Sequence, residues 1–234
     1  MQLFYTPDIS GAQYTLNETE SKHCVRVLRK VKGDILHLTN GTGILYKAEI
    51  TDANPKACRL AVIDDFQEFE RRNYFLHIAI APTKNIDRFE WFLEKATEIG
   101  IDEITPIYTE NSERRQIKPE RLEKIIVSAM KQSIKAYKPL LNKAVSFKDF
   151  INRKYAVDSM YVAHCNEGQR EILKNVYQKN SSALILIGPE GDFTPEEVGQ
   201  ATIHGYQPVT FGNSRLRTET AGVVACHSIY LLNL

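Results

Sequence analysis

Long apolar runs are missing from this 234-residue chain. The best of them, Ala183 to Ile187, falls far short of the roughly 18–20 residues that span a bilayer, so no membrane helix is expected. The opening MQLFYTPDIS lacks a basic start followed by an apolar stretch, and no secretory signal is expected either. Glycine (12) and proline (9) are too few for collagen or a low-complexity disordered chain. Cysteine is sparse: Cys24, Cys58, Cys165 and Cys226 lie far apart and form no CxxC pair. With the six histidines they give no zinc-ligand spacing, so no metal is expected. Scattered thiols of this kind read as reduced packing residues of a cytoplasmic protein. Nor does one sign of charge dominate. Thirty Lys+Arg against 29 Asp+Glu, net +1, argue at first sight against a polyanionic partner.

Counted locally, the charge is segregated. Lys22, Arg26, Arg29, Lys30 and Lys32 crowd one stretch that holds no acid. Between Asn111 and Lys154, twelve basic residues face four acidic ones, and the rest of the chain is correspondingly acidic. Two separated basic segments are the footprint of a surface that replaces counterions along a phosphate backbone. A solvated helix face is the competing reading. Tyr137, within this second segment, is a candidate for stacking on a base or for packing.

The chain changes texture near residue 70. Before it, Asp34–Thr39 and Ile44–Ile50 partly alternate around Asn40-Gly-Thr-Gly43, a hairpin signal. A strand over Arg59–Ile63 and a helical stretch near Glu18–Leu28 complete a small barrel or sandwich. The polar stretch Asp64–Asn73 reads as a linker. After it, strands at Tyr74–Ala81, Ile104–Tyr108, Ser159–Ala163, Ala183–Ile187 and Pro208–Phe211 alternate with helices. Those helices include one carrying Ile86, Phe89, Leu93 and Ala96, one at Pro119–Ile134 and one at Ala221–Leu232. That alternation predicts an α/β domain with a mostly parallel sheet, giving domains 1–70 and 71–234.

Two strand-to-helix turns hold the densest information. Leu184-Ile-Leu-Ile runs into Gly188-Pro-Glu-Gly191, and Thr194, Pro195 and Glu197 spell a capping box with proline at the first helical position. Glycines there let a backbone approach a ligand at the carboxyl end of a strand. The turn is neither GxGxxG nor a GK[ST] phosphate loop, so no nucleoside triphosphate is indicated. The second turn, Phe211-Gly-Asn-Ser-Arg-Leu-Arg-Thr-Glu-Thr-Ala-Gly222, crowds Arg215, Arg217 and Glu219 before an apolar helix.

Taken together, GPEG-D-F-T-x-x-E, then LRTETA, after ATEIGIDEITPI, resemble the RsmE family of 16S rRNA uridine-N3 methyltransferases, members of the SPOUT superfamily. Lys22-His-Cys-Val-Arg-Val-Leu-Arg-Lys-Val-Lys-Gly-Asp34 is similar to the family's amino-terminal H-x-x-x-VLR-x-x-x-GD element, and the resemblance covers essentially the whole chain. It implies an α/β SPOUT-type fold with a deep C-terminal trefoil knot, a mostly parallel sheet and a small N-terminal PUA-like β-barrel. It implies S-adenosyl-L-methionine as methyl donor, 16S rRNA of the small ribosomal subunit as partner, uridine 1498 as target, and a homodimer. Carried over by position, His164, Leu186, Gly188, Pro189, Glu190, Gly191, Gly212, Leu216, Arg217, Thr218, Thr220 and Ala221 surround the cofactor. Lys22, His23, Arg26, Arg29, Lys131, Gln132, Ser133 and Lys135 face RNA. Arg217 is the candidate to stabilise the uridine anion. Glu219 either accepts the proton or holds Arg217. Two departures stand out: relatives carry an EQSGR-like stretch where this chain keeps Gln132-Ser133 but has Ile134-Lys135, and a Gly-Gly pair where it has Gly191-Asp192. A ribose 2′-O-methyltransferase and a non-catalytic RNA-binding or ribosome-assembly protein on the same fold are the alternatives.

Overall fold

Apolar residues partly alternate before about residue 70, and after it continuous apolar runs are separated by stretches at helical spacing, so that two sheets result, the second flanked by helices. The computed structural model describes residues 2–234. The first part contains β1 (Leu3–Tyr5), β2 (Gln13–Thr15), α1 (Glu18–Lys22), a π-helical turn (His23–Val27), β3 (Ile35–Thr39), β4 (Leu45–Asp52) and β5 (Arg59–Phe66). They form a sheet ordered β1-β3-β4-β5-β2, antiparallel except where β1 meets β3. Its inward side chains, among them Phe4, Leu36, Leu38, Ile50 and Leu60, make one core. The β3–β4 turn needs its glycines, since Gly41 and Gly43 stand at φ +82° and +100°. The linker expected at Asp64–Asn73 starts too early. Asp64, Asp65 and Phe66 extend β5 against Lys47, Tyr46 and Leu45, because the backbone of the long β4 pairs with them whatever their side chains.

The backbone divides into two compact units: residues up to Arg71 with Val127–Lys138, and Arg72–Ile126 with Pro139–Leu234. The first thus includes a segment that a break near residue 70 leaves in the second. Main-chain bonds hold it there: Gly43 N–H donates to the Ala136 carbonyl (3.0 Å) and Lys138 N–H to that of Gly41 (2.9 Å).

The later elements are β6 (Phe75–Ile80), α2 (Ile86–Ile99), β7 (Glu103–Tyr108), α3 (Pro119–Gln132), β8 (Leu140–Leu141), β9 (Val145–Ser146) and α4 (Phe147–Ile151). They are followed by β10 (Ser159–Ala163), β11 (Glu171–Ile172), α5 (Leu173–Val176), β12 (Ser182–Ile187), α6 (Pro195–Ile203), β13 (Gln207–Thr210) and α7 (Thr218–Asn233). The sheet runs β11-β13-β10-β12-β6-β7-β8, with β9 also on β7, and every pair is parallel. Strands buried on both faces read as continuous apolar runs, as Leu184-Ile-Leu-Ile does. Side chains of α2 and α7 share one core cluster with the sheet, and those of α6 and α4 share another.

Helix α3 closes with Lys135 N–H on the Met130 carbonyl (3.0 Å), a Schellman closure that puts Ile134, at φ +59°, where glycine is usual. Helix α7 starts three residues before the expected Ala221, and its Gly222 lies directly against Phe92. Beneath the sheet, His77 Nε2 and Thr105 Oγ1 are 2.8 Å apart, and Asn142 donates to Thr105 Oγ1 (2.8 Å) and to Glu103 (2.5 Å). Burial pushes the His77 imidazole down to about 4 against the opposing pull of Glu103.

Candidate functional site

Parallel strands deliver their carboxyl ends to one edge, and here β10, β12 and β13 end side by side at Ala163, Ile187 and Thr210. The turns that follow enclose a cavity of about 330 Å³. The turn after β12 is fixed by its capping box. Thr194 Oγ1 accepts from Glu197 N–H (3.2 Å), and Glu197 Oε2 accepts from Thr194 N–H (3.0 Å). The other Glu197 oxygen accepts from Glu110 N–H (2.9 Å), so one buried carboxylate ties α6 to the end of β7.

Of the residues expected at the cofactor, His164, Gly188, Pro189, Glu190, Leu216, Arg217, Thr218 and Ala221 line this cavity. Four others do not. Leu186 is fully buried in the core under α6, because alternate residues of β12 point to opposite faces. Gly191 and Gly212 line a neighbouring hollow, and Thr220 is turned away around α7. Glu190 lines the cavity while its Oε1 accepts from Lys84 N–H (2.9 Å).

Arg217 precedes the first turn of α7 with its side chain exposed at the cavity wall. Glu219 does not hold it. The Glu219 carboxylate is buried, 3.9 Å from Arg88 Nε, and absent from the cavity lining, since two helical positions rotate it away. One of its oxygens has no hydrogen-bond partner among the described residues. The first helical turn favours a carboxylate there.

His164 is 7% exposed, and neither ring nitrogen has a hydrogen-bond partner among the described residues. Burial lowers its pKa; Asp192 opposes the shift and Arg170 adds to it, so the ring is neutral at physiological pH. A buried neutral imidazole with both nitrogens open to a cavity is built to meet a polar ligand.

Asp192 is a site residue that the sequence motifs do not single out, beyond its standing in place of a second glycine. Its φ is +62°, in the region glycine serves and Asp tolerates. The carboxylate accepts from Phe193 N–H (2.8 Å) and from Cys165 N–H (2.6 Å), joining the turns after β12 and β10. Asn111 Nδ2 donates to the carbonyls of Gly191 and Asp192, both at 3.1 Å. Thr210, Phe211 and Ser214 also line the cavity without having been expected.

In the first unit, the residues expected at RNA divide in two. Arg26 and Arg29 are exposed beside Val27 and Val31, which are 65% and 61% exposed, and Arg29 stands at φ +55°. Lys22 is exposed and pairs with Glu18 (2.7 Å), while His23 packs edge-on to Phe4. Gln132 is exposed. Lys131 is committed internally, with Glu20 at 2.6 Å and the Phe4 ring centroid at 5.6 Å. Ser133 donates to the Ala129 carbonyl, and Lys135 lies 3.6 Å from Glu70.

Comparison with known proteins gives two family matches, an RNA methyltransferase domain over residues 70–230 and an RNA methyltransferase PUA domain over 16–63. The ribosomal RNA small subunit methyltransferase E of Rickettsia conorii is 28% identical, with 90% of this chain and 86% of that protein covered. The Bacillus subtilis protein of the same name is 28% identical over 92% and 89%. A crystal structure titled as a probable rRNA-methyltransferase from Porphyromonas gingivalis is 44% identical, with a TM-score of 0.94 over 100% of this chain and 98% of that one. Ribosomal RNA small subunit methyltransferase E from Neisseria gonorrhoeae, solved bound to S-adenosyl methionine, shares the fold at a TM-score of 0.89 and 23% identity, covering 100% and 98%.

Proposed function

The chain belongs to the RNA methyltransferase family, within its RsmE group, and from that premise we propose that it methylates N3 of a uridine, uridine 1498, in 16S rRNA of the small ribosomal subunit. S-adenosylmethionine is the methyl donor, and when bound it supplies an electrophilic methyl group on a positively charged sulfur. The observation that best supports this reading is the cavity at the ends of β10, β12 and β13, with the orphaned His164 in its wall. Its size, its apolar residues Ile187, Val209 and Phe211, and its open imidazole suit a ligand that is partly hydrocarbon and partly hydrogen-bonding.

Uridine N3 carries a proton, and the ring nitrogen attacks only as that proton passes to solvent water. The negative charge then spreads onto O2 and O4. Arg217, exposed at the cavity wall, is placed to stabilise that charge and so to make N3–H a stronger acid. Glu219 serves the site indirectly, holding the start of α7 through Arg88. Arg26, Arg29 and Gln132 are the free contacts for RNA, while Lys131 secures the unit that presents them. The same reading takes the protein as a cytoplasmic homodimer with the carboxy-terminal strands threaded into a trefoil knot and no bound metal.

The test is incubation with labelled donor and unmodified small subunits, free 16S rRNA or large subunits, followed by nucleoside mass mapping. N3-methyluridine at one 16S position is the expected product. Label on ribose, or only on large-subunit RNA, refutes the assignment. Arg217→Ala should lose methyl transfer while its melting curve stays that of the parent.

A further inference from the structure

A second hollow, of about 690 Å³, adjoins the first. Cys165, Asp192, Thr210, Ser214 and Arg215 line both, so the two share a wall. Their chemistry differs. The first is walled in large part by aliphatic and aromatic side chains, whereas the second presents Asn166, Arg170, Asn213, Ser214 and Arg215. Gly168 and Gly212, at φ +129° and +137°, leave bare backbone, with no described residue beyond their chain neighbours within 4 Å of where a Cβ would stand. Two cations therefore face one hollow. Arg170 spends one N–H on the His164 carbonyl (2.7 Å), and Asp192, the acid in this lining, is already engaged by two backbone N–H groups.

We infer that this hollow receives one nucleotide of the RNA, a pyrimidine turned out of its stack, with its phosphate at Arg170 and Arg215 and its base edge toward the shared wall. The inference rests on the methyltransferase reading and adds to it the residues that seat the substrate. A base that reacts on its Watson–Crick edge must leave the stack and enter a pocket of its own. Guanidinium forks match phosphate oxygens in shape and charge. Amide and hydroxyl groups such as those of Asn213 and Ser214 offer the donors and acceptors that the uracil edge requires. The volume lies within the roughly 300–1,000 Å³ of pockets that enclose small ligands.

Two variants of the full chain test this. Asn213 lines the second hollow and not the first. Asn213→Trp should fill it, lowering kcat/KM for small-subunit RNA by at least about 30-fold while calorimetry shows the S-adenosylmethionine Kd within about threefold. Arg170→Ala should raise the RNA KM by about 10–100-fold, the scale of a lost charge-assisted hydrogen bond, and Arg170→Lys should recover part of it. Uridine 5′-monophosphate, titrated as a probe, should show saturable NMR broadening with the parent and none with Asn213→Trp. The inference is overturned if folded Asn213→Trp methylates RNA at the parental kcat/KM, or if both variants weaken S-adenosylmethionine as much as RNA. Failure of the parent to methylate any RNA refutes the methyltransferase reading instead, and the nucleotide titration still reports on the hollow.

Discussion

Replacing Gly222 by alanine should destabilise the protein, although alanine is the better helix former. Gly222 sits in the second turn of α7, and a Cβ built there stands 2.5 and 2.6 Å from two ring carbons of Phe92 and 3.0 Å from Ile80 Cδ1. Carbon pairs rest at about 3.5–4.0 Å, so the ring or the helix must give by about 1 Å. Phe92 and Ile80 are both fully buried, with packed neighbours behind them. Overpacking of this kind costs about 1–3 kcal/mol, and a clash against a ring with no free side belongs at the top of that range. The gain in helix propensity offsets about 1 kcal/mol, leaving a net loss of about 2 kcal/mol. For a chain of this size that corresponds to a fall in Tm of about 4–8 °C by calorimetry. Phe92→Leu should make room, so that Gly222→Ala costs less than about 0.5 kcal/mol in its presence and the double-mutant cycle shows a coupling above 1 kcal/mol. Stabilisation by the single change, or strict additivity of the two, would refute the reasoning. Ala221 lines the cavity proposed to hold S-adenosylmethionine, so the same displacement should also shrink the rise in Tm which that ligand is expected to produce.

Three further outcomes are expected. At position 134 the usual order should invert: Ile134→Gly should be more stable than Ile134→Ala by about 0.5–1 kcal/mol in urea titrations, because only glycine occupies φ +59° without strain. Glu197→Gln should cost about 2–3 kcal/mol, since one carboxamide cannot accept from both Glu110 and Thr194 N–H groups; wild-type stability would show that the carboxylate is dispensable. His77 is held neutral in the fold, so the unfolded chain binds the extra proton between about pH 6.5 and 4, and stability falls as pH drops through that window. His77→Leu should flatten that part of the pH profile, a difference of order 3 kcal/mol at its acid end, and parallel profiles would remove His77 as the cause.

What could be read from the residues was local. Thr194-Pro195-x-Glu197 spells its own helix start, Gly100 ends α2 at φ +122°, and Asn40-Gly-Thr-Gly43 forms its turn, because each needs only neighbours within a few positions. What escaped depends on distant partners. The acidic stretch Asp64–Phe66 looks like a linker until β4 lies beside it, and Val127–Lys138 gives no sign that its carbonyls and N–H groups meet the β3–β4 turn. The same limit applied at the site. The motifs placed eight of the twelve expected cofactor residues on one cavity, but the face to which Leu186 and Glu219 point is set by strand alternation and helix phase. Asp192 was visible only as a departure from a glycine pair, and its bond to Cys165 N–H spans 27 positions.

The all-parallel order of the second sheet also bears on the protein's synthesis. Strand β6 lies between β7, which follows it closely, and β12, which begins about 100 residues later. At ribosomal speeds of about 5–20 residues per second, the Phe75–Ile80 edge waits some 5–20 s for that neighbour. During this interval an apolar strand has one side open to any other chain with a free edge. The turns that carry Gly188 and Arg217 leave the ribosome after that wait, so the cavity is among the last features to form. Slower elongation between residues 80 and 182 should therefore lower the soluble yield more than the same delay placed before residue 70.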